Sequence, residues 1–76
     1  MTRLVTQYVT KLGAVAESME PPAMSVRSAV EAAAKVLEMP PETVIIVDTI
    51  SGGAVTIRTG QLDHIAVEPY DETAAG

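Results

Sequence analysis

The sequence predicts an α+β domain in two layers, two N-terminal helices packed on a three-stranded antiparallel sheet in the order ααβββ. Three observations carry that prediction. Up to Glu38 the large apolar residues recur at intervals of three and four, the period of an amphipathic helix. From Thr43 onward the pattern becomes extended and rich in Val, Ile and Thr. Between the segments stand breakers, Glu20-Pro21-Pro22, Pro40-Pro41, Ser51-Gly52-Gly53 and Gly60-Gln61, which suit element ends.

In the first element Leu4, Val5, Tyr8, Val9, Leu12, Val15, Ala16 and Met19 form the helical stripe, with Thr2 placed to cap it. Val5, Thr6, Val9, Thr10 and Gly13 are poor helix formers, so residues 3–11 have an alternative reading as a strand. The order would then be βαβββ, with that strand beside residues 43–50. The second helix starts at Ser25 or Ser28, either of which can cap it, and runs to about Glu38. Its stripe is Val26, Ala29, Val30, Ala33 and Leu37.

Residues 43–50 are apolar on both faces, Val44, Ile46 and Ile50 on one and Ile45 and Val47 on the other, so both need cover. Ser51-Gly52-Gly53 turns the chain into a strand over residues 54–59, with Val55 and Ile57 inward. Gly60-Gln61 reads as a two-residue hairpin turn into a third strand, residues 62–67, on which Ile65 and Val67 share a face. Pro69 and small polar residues mark Glu68 onward as a fraying end, which gives one domain over residues 1–70 and an acidic tail at 71–76.

With 76 residues, no Phe or Trp, and Tyr8 and Tyr70 as its aromatics, the chain builds its core from small side chains. Burial stabilises by roughly 25 cal/mol per Å², so such a core has a thin margin and self-association would add to it. A simple meander leaves residues 43–50 on an open edge, a pairing hazard. Both points predict a homodimer, with Ile45 and Val47 at the interface. The absence of cysteine excludes disulfides, thiolate nucleophiles and thiolate metal sites. No apolar run approaches the roughly 20 residues of a membrane span, and no secretory leader pattern is visible, which predicts a cytoplasmic protein without a membrane partner.

The formal net charge of −5 is unevenly placed. Residues 1–40 balance four bases against four acids, whereas from Pro41 onward Glu42, Asp48, Asp63, Glu68, Asp71 and Glu72 face Arg58 alone. Such a field repels phosphate backbones, which argues against direct nucleic-acid binding, and attracts basic protein surfaces.

No catalytic, metal or cofactor constellation is visible. His64 is the one histidine; on a regular strand it points away from adjacent Asp63, so the two cannot form a base and its orienting carboxylate. Ser51-Gly52-Gly53 lacks the following helix that a phosphate loop needs. Asp48, on an apolar strand, is expected to pair with Arg58 across the hairpin or to meet a partner. The chain is therefore read as a small acidic non-enzymatic binding protein, needing no cofactor, that docks on a basic surface of a larger partner through Asp48, Asp63, Glu68, Tyr70, Asp71 and Glu72. In size and charge it is similar to small acidic proteins of phages and mobile elements, among them inhibitors of nucleic-acid-binding defence complexes (anti-CRISPR proteins); this is a likeness of composition, carried by no residue motif. The alternative is a structural or regulatory accessory subunit that self-assembles through the edge of residues 43–50.

Overall fold

The first apolar segment is a β-hairpin rather than a helix. In the computed structural model, which describes residues 2–71, β1 (Thr2–Thr10) and β2 (Val15–Met19) pair antiparallel, with Val5 opposite Met19 and Val9 opposite Val15. The one α-helix among the described residues, α1 (Val26–Leu37), follows, then β3 (Val44–Asp48), β4 (Ala54–Arg58), a 3₁₀ turn over Thr59–Gln61 and β5 (Leu62–Asp71). The strands form two sheets, β2-β1-β5 and the two-stranded ribbon β3-β4. Both expected orders fail on this. The ααβββ order has a helix where β1 and β2 lie, and βαβββ lacks β2 and sets the N-terminal strand beside residues 43–50, whereas β1 pairs with β2 and β5. The chain is mainly β.

The helical period of the first segment has a physical origin in the sheet. Leu4 and Val5 point to opposite faces of β1 and both are buried, so apolar residues come in neighbouring pairs rather than alternating. The pairs Leu4-Val5 and Tyr8-Val9, followed by Leu12 in the turn, imitate a 3.6-residue repeat. Leu12 is 92% exposed at the hairpin tip, which no core helix would tolerate.

The expected meander also breaks. Gly60-Gln61 is not a hairpin turn; it lies in the 3₁₀ turn that carries the chain off the ribbon to pair with β1, Thr6 opposite Val67 and Tyr8 opposite Ile65. Pro41 decides this. The Gly60 N–H donates to the Pro41 carbonyl at 2.9 Å, and a β-carbon on Gly60 would stand 2.8 Å from Pro41 Cβ. Thr59, 6% exposed, closes the same corner, its hydroxyl donating to the Pro40 carbonyl and its N–H to the Thr43 carbonyl. Nor does the chain fray from Glu68, because β5 stays paired to Asp71, opposite Thr2.

The helix keeps its expected place. Ser25 is the cap, its hydroxyl accepting from the Ser28 N–H, and the last turn closes at Glu38. Ala29 and Ala33 are buried, α1 packing against β5, while Val26, Val30 and Leu37 on the flank are about half exposed. The remaining core is Leu4, Val5, Val47 and Leu62, joined by the buried hydroxyls of Thr6 and Thr59.

Edges follow from the hydrogen-bond alternation of antiparallel pairs. The Glu20 N–H donates to the Leu4 carbonyl, so even residues of β1 bond to β2 and odd residues to β5. Pro69, opposite Leu4, therefore turns its hydrogen-free nitrogen to the outer edge of β5, where no ladder bond is lost. On the other side β2 lies alongside β3, and just past β3 the Ile50 N–H donates to the Glu17 carbonyl at 3.0 Å.

Candidate functional site

The ribbon has two unlike faces. Directly opposed residues share a face, and the register sets Val44 opposite Arg58, Ile46 opposite Thr56 and Asp48 opposite Ala54. These six form the outer face, and all six are exposed, Ile46 to 74% and Val44 to 53%. Ile45, Val47 and Ile57 on the other face turn inward, Val47 to 3% exposure. The mid-chain ribbon is thus covered on one side, save at Val55, which was expected inward and is 39% exposed, and bare to water on the other, against the expectation that both faces are shielded.

Asp48 sits at the turn end of that outer face. It does not pair with Arg58, which stands opposite Val44 four residues along the strand. The reading of Asp48 and Arg58 as a cross-hairpin pair fails on register. Near Val44 and Arg58, at the other end of the ribbon, a cleft of about 370 Å³ is lined by Thr10, Val44, Thr56, Ile57, Arg58 and Gln61.

The two residues assigned to an interface, Ile45 and Val47, lie on the inward face, and the β3 edge they belong to runs beside β2. The remaining acids do not converge with Asp48. Asp63 lies at the start of β5 and Glu68 five residues further on; Glu68 and Tyr70 share the face of Val5 and Arg3. Asp71 ends β5, and Glu72 lies outside the described residues. Among the described residues no group of three His, Cys, Asp or Glu could hold a metal ion.

His64 and Asp63 correct the sequence reading. The pairing jumps between Val9–His64 and Thr10–Leu62, so Asp63 is an extra, bulged residue. The bulge cancels the alternation that would separate neighbours, and His64 Nδ1 lies 2.7 Å from Asp63 Oδ2. The carboxylate fixes one ring nitrogen and leaves Nε2 in water. Both side chains are more than half exposed, and among the described residues no hydroxyl or amine is hydrogen-bonded to the ring. An oriented imidazole without a nucleophile is not a triad. Neither the bulge nor the exposure of Ile46 has a signal in composition or periodicity, because both depend on which strands pair and what covers them.

One polar group is partly removed from water. The Thr6 hydroxyl, 2% exposed, donates to Glu20 Oε1 across the β1–β2 hairpin. Tyr8, half-buried on the same face, has its phenol pushed above 10.0, first by burial and second by the Glu20 carboxylate.

No family model, no curated protein and no solved structure gives a significant match to this chain. Among the described residues no helix is long and apolar enough to cross a membrane; α1 has 12 residues.

Proposed function

We propose that this chain is a non-enzymatic binding domain that docks a protein partner through the outer face of the β3–β4 ribbon. The observation that carries the reading is Ile46, 74% exposed at the middle of a strand, with Val44 beside it and Asp48, Thr56 and Arg58 around them. An apolar centre with a polar rim is the anatomy of a protein contact surface, and the exposed isoleucine has no service to its own core. The complementary partner surface is apolar at its centre, and the chain's net charge of −5, which acts at long range rather than in the rim itself, favours a basic partner. The same charge opposes phosphate backbones.

A photoreactive amino acid at position 46, introduced in the native host, tests this reading. The expected result is a covalent adduct with one discrete protein, absent when the probe replaces the inward-facing Val47 and lost on Val44→Lys with the fold intact by circular dichroism. Equal, diffuse labelling from positions 46 and 47 would refute the docking face.

A further inference from the structure

We propose that the outer edge of β4 is a self-association site at which a second copy of this chain pairs antiparallel, about a twofold axis at Thr56. The inference extends the ribbon's role as a contact surface but rests on its edge, not on the exposed face.

The fold leaves several strand edges, and among the described residues the outer edge of β4 has neither a proline nor a neighbouring strand. On β5, Pro69 presents no N–H to the outside and α1 packs against the strand. The free sides of β2 and β3 lie next to one another, bridged by Ile50 and Glu17. On β4 nothing of this kind exists among the described residues. The Thr49 N–H donates to the Gly53 carbonyl and the Thr59 N–H to the Thr43 carbonyl, so odd-numbered residues of β4 bond to β3. Ala54, Thr56 and Arg58 therefore aim their N–H and C=O groups outward. Among the described residues no backbone hydrogen bond joins these groups to another element. The strand has β-branched Val55, Thr56 and Ile57 at its centre and neither proline nor lysine, the devices that usually keep edges apart.

Charge identifies the occupant as a second copy and fixes its register. With Thr56 opposite its own counterpart, Ala54 stands opposite Arg58 of the second copy. Across the joined outer face one rung then reads Asp48, Ala54, second-copy Arg58, second-copy Val44, and the symmetric rung reads the reverse. Strands are about 4.8 Å apart, so Asp48 and the second copy's Arg58 are separated by about 10 Å at the backbone. Ala54 alone lies between them, and its methyl group leaves the long arginine side chain free to lean across to the carboxylate. The two exposed charges that the hairpin register keeps apart are thereby matched twice. Sliding the copies by two residues either way leaves no rung with both Asp48 and Arg58. The central rung, Ile46, Thr56, second-copy Thr56, second-copy Ile46, pairs β-branched threonines and sets the two docking faces side by side.

The chain has no cysteine, so a single introduced thiol reports the register. In a hydrogen-bonded antiparallel pair the facing α-carbons are about 5.5 Å apart, inside the disulfide range of about 4.4–6.8 Å. Mild oxidation of Thr56→Cys should give a disulfide-linked dimer, whereas Ala54→Cys, which faces position 58, should give little. Light scattering should find the unmodified chain at twice the 8.0 kDa of one copy. Thr56→Lys, which sets like charges face to face on the axis, should return it to one copy with an unchanged circular dichroism spectrum. Asp48→Arg and Arg58→Asp should each weaken association severalfold, and the double reversal should restore it. A single-copy mass across the micromolar to millimolar range, or a folded Thr56→Lys variant that stays dimeric, overturns the proposal. So does equal cross-linking from positions 54 and 56. An adduct at position 46 without cross-linking at position 56 removes the edge and keeps the docking face; the opposite pair of results does the reverse.

Discussion

Tyr8 shows how one residue's surroundings become a property of the whole chain. It lies on β1 between Ala16 and Ile65, with the Glu20 carboxylate, held by the Thr6 hydroxyl, on the same face. Burial first, and the nearby negative charge second, favour the neutral phenol and raise its proton affinity above that of an exposed tyrosine. A folded state that holds a proton more tightly than the unfolded chain is stabilised wherever the proton is present in both. That stability is therefore complete below the unfolded value of about 10 and is lost as pH rises through the folded value. Near-ultraviolet titration, free of tryptophan in this chain, should show the Tyr8 phenol, identified by its loss in Tyr8→Phe, ionising later in the folded than in the urea-unfolded protein. Tyr8→Phe should flatten the alkaline loss of stability. Coincident folded and unfolded midpoints would contradict the buried placement of Tyr8. The sequence names the residue but not its neighbours, because Ala16, Glu20 and Ile65 reach it only through strand pairing.

At the scale of elements, the same turn is built twice. In the β1–β2 and β3–β4 hairpins a threonine, Thr10 or Thr49, gives its N–H to the carbonyl four residues on and takes the N–H of that same residue on its hydroxyl. A glycine at the third loop position, Gly13 at φ 90° or Gly52 at φ 96°, donates to the threonine carbonyl. An added β-carbon would meet nothing within 4 Å at either glycine, so only the backbone angle demands it. Gly52→Ala should then cost about 1–2 kcal/mol, and at about 4–8 °C per kcal/mol for a domain of this size it should lower Tm measurably. A melt within error of wild type would show that the turn relaxes without a left-handed residue. The second turn was legible, since Ser51-Gly52-Gly53 sits between two clear strands, and so were the ribbon and the Ser25-capped helix. The first was hidden by Leu4-Val5 and Tyr8-Val9, whose burial on both faces of β1 copies the helical period. The β5 pairing was hidden too, because it is made with β1 across more than fifty residues and set by the contact of Gly60 with Pro41, which local pattern does not report. At the candidate site Val44 and Ile46 were legible as one face; that this face stays uncovered was not, since cover depends on which sheet β1 joins.

For the whole molecule the governing quantity is charge against reach. Each copy carries a net −5, so two copies repel at long range even where Asp48 and Arg58 match at short range. The Debye length is about 10 Å at 0.1 M salt and about 3 Å at 1 M. Salt thus removes the long-range repulsion between copies first, while the hydrogen bonds of the β4 ladder and the apolar contacts beside it join uncharged groups in direct contact and are little screened. Docking on a basic partner is the opposite case, because there the long-range field is the attraction. Raising salt from the low-millimolar range to about half molar should therefore tighten self-association a few-fold while weakening attachment to a basic partner. Sedimentation equilibrium across a salt series checks the first half, and the yield of the position-46 adduct across the same series checks the second. If self-association instead weakened steeply with salt, the Asp48–Arg58 matches rather than strand pairing would be holding the copies together, and a salt-insensitive adduct would place the partner's affinity in Val44 and Ile46 alone.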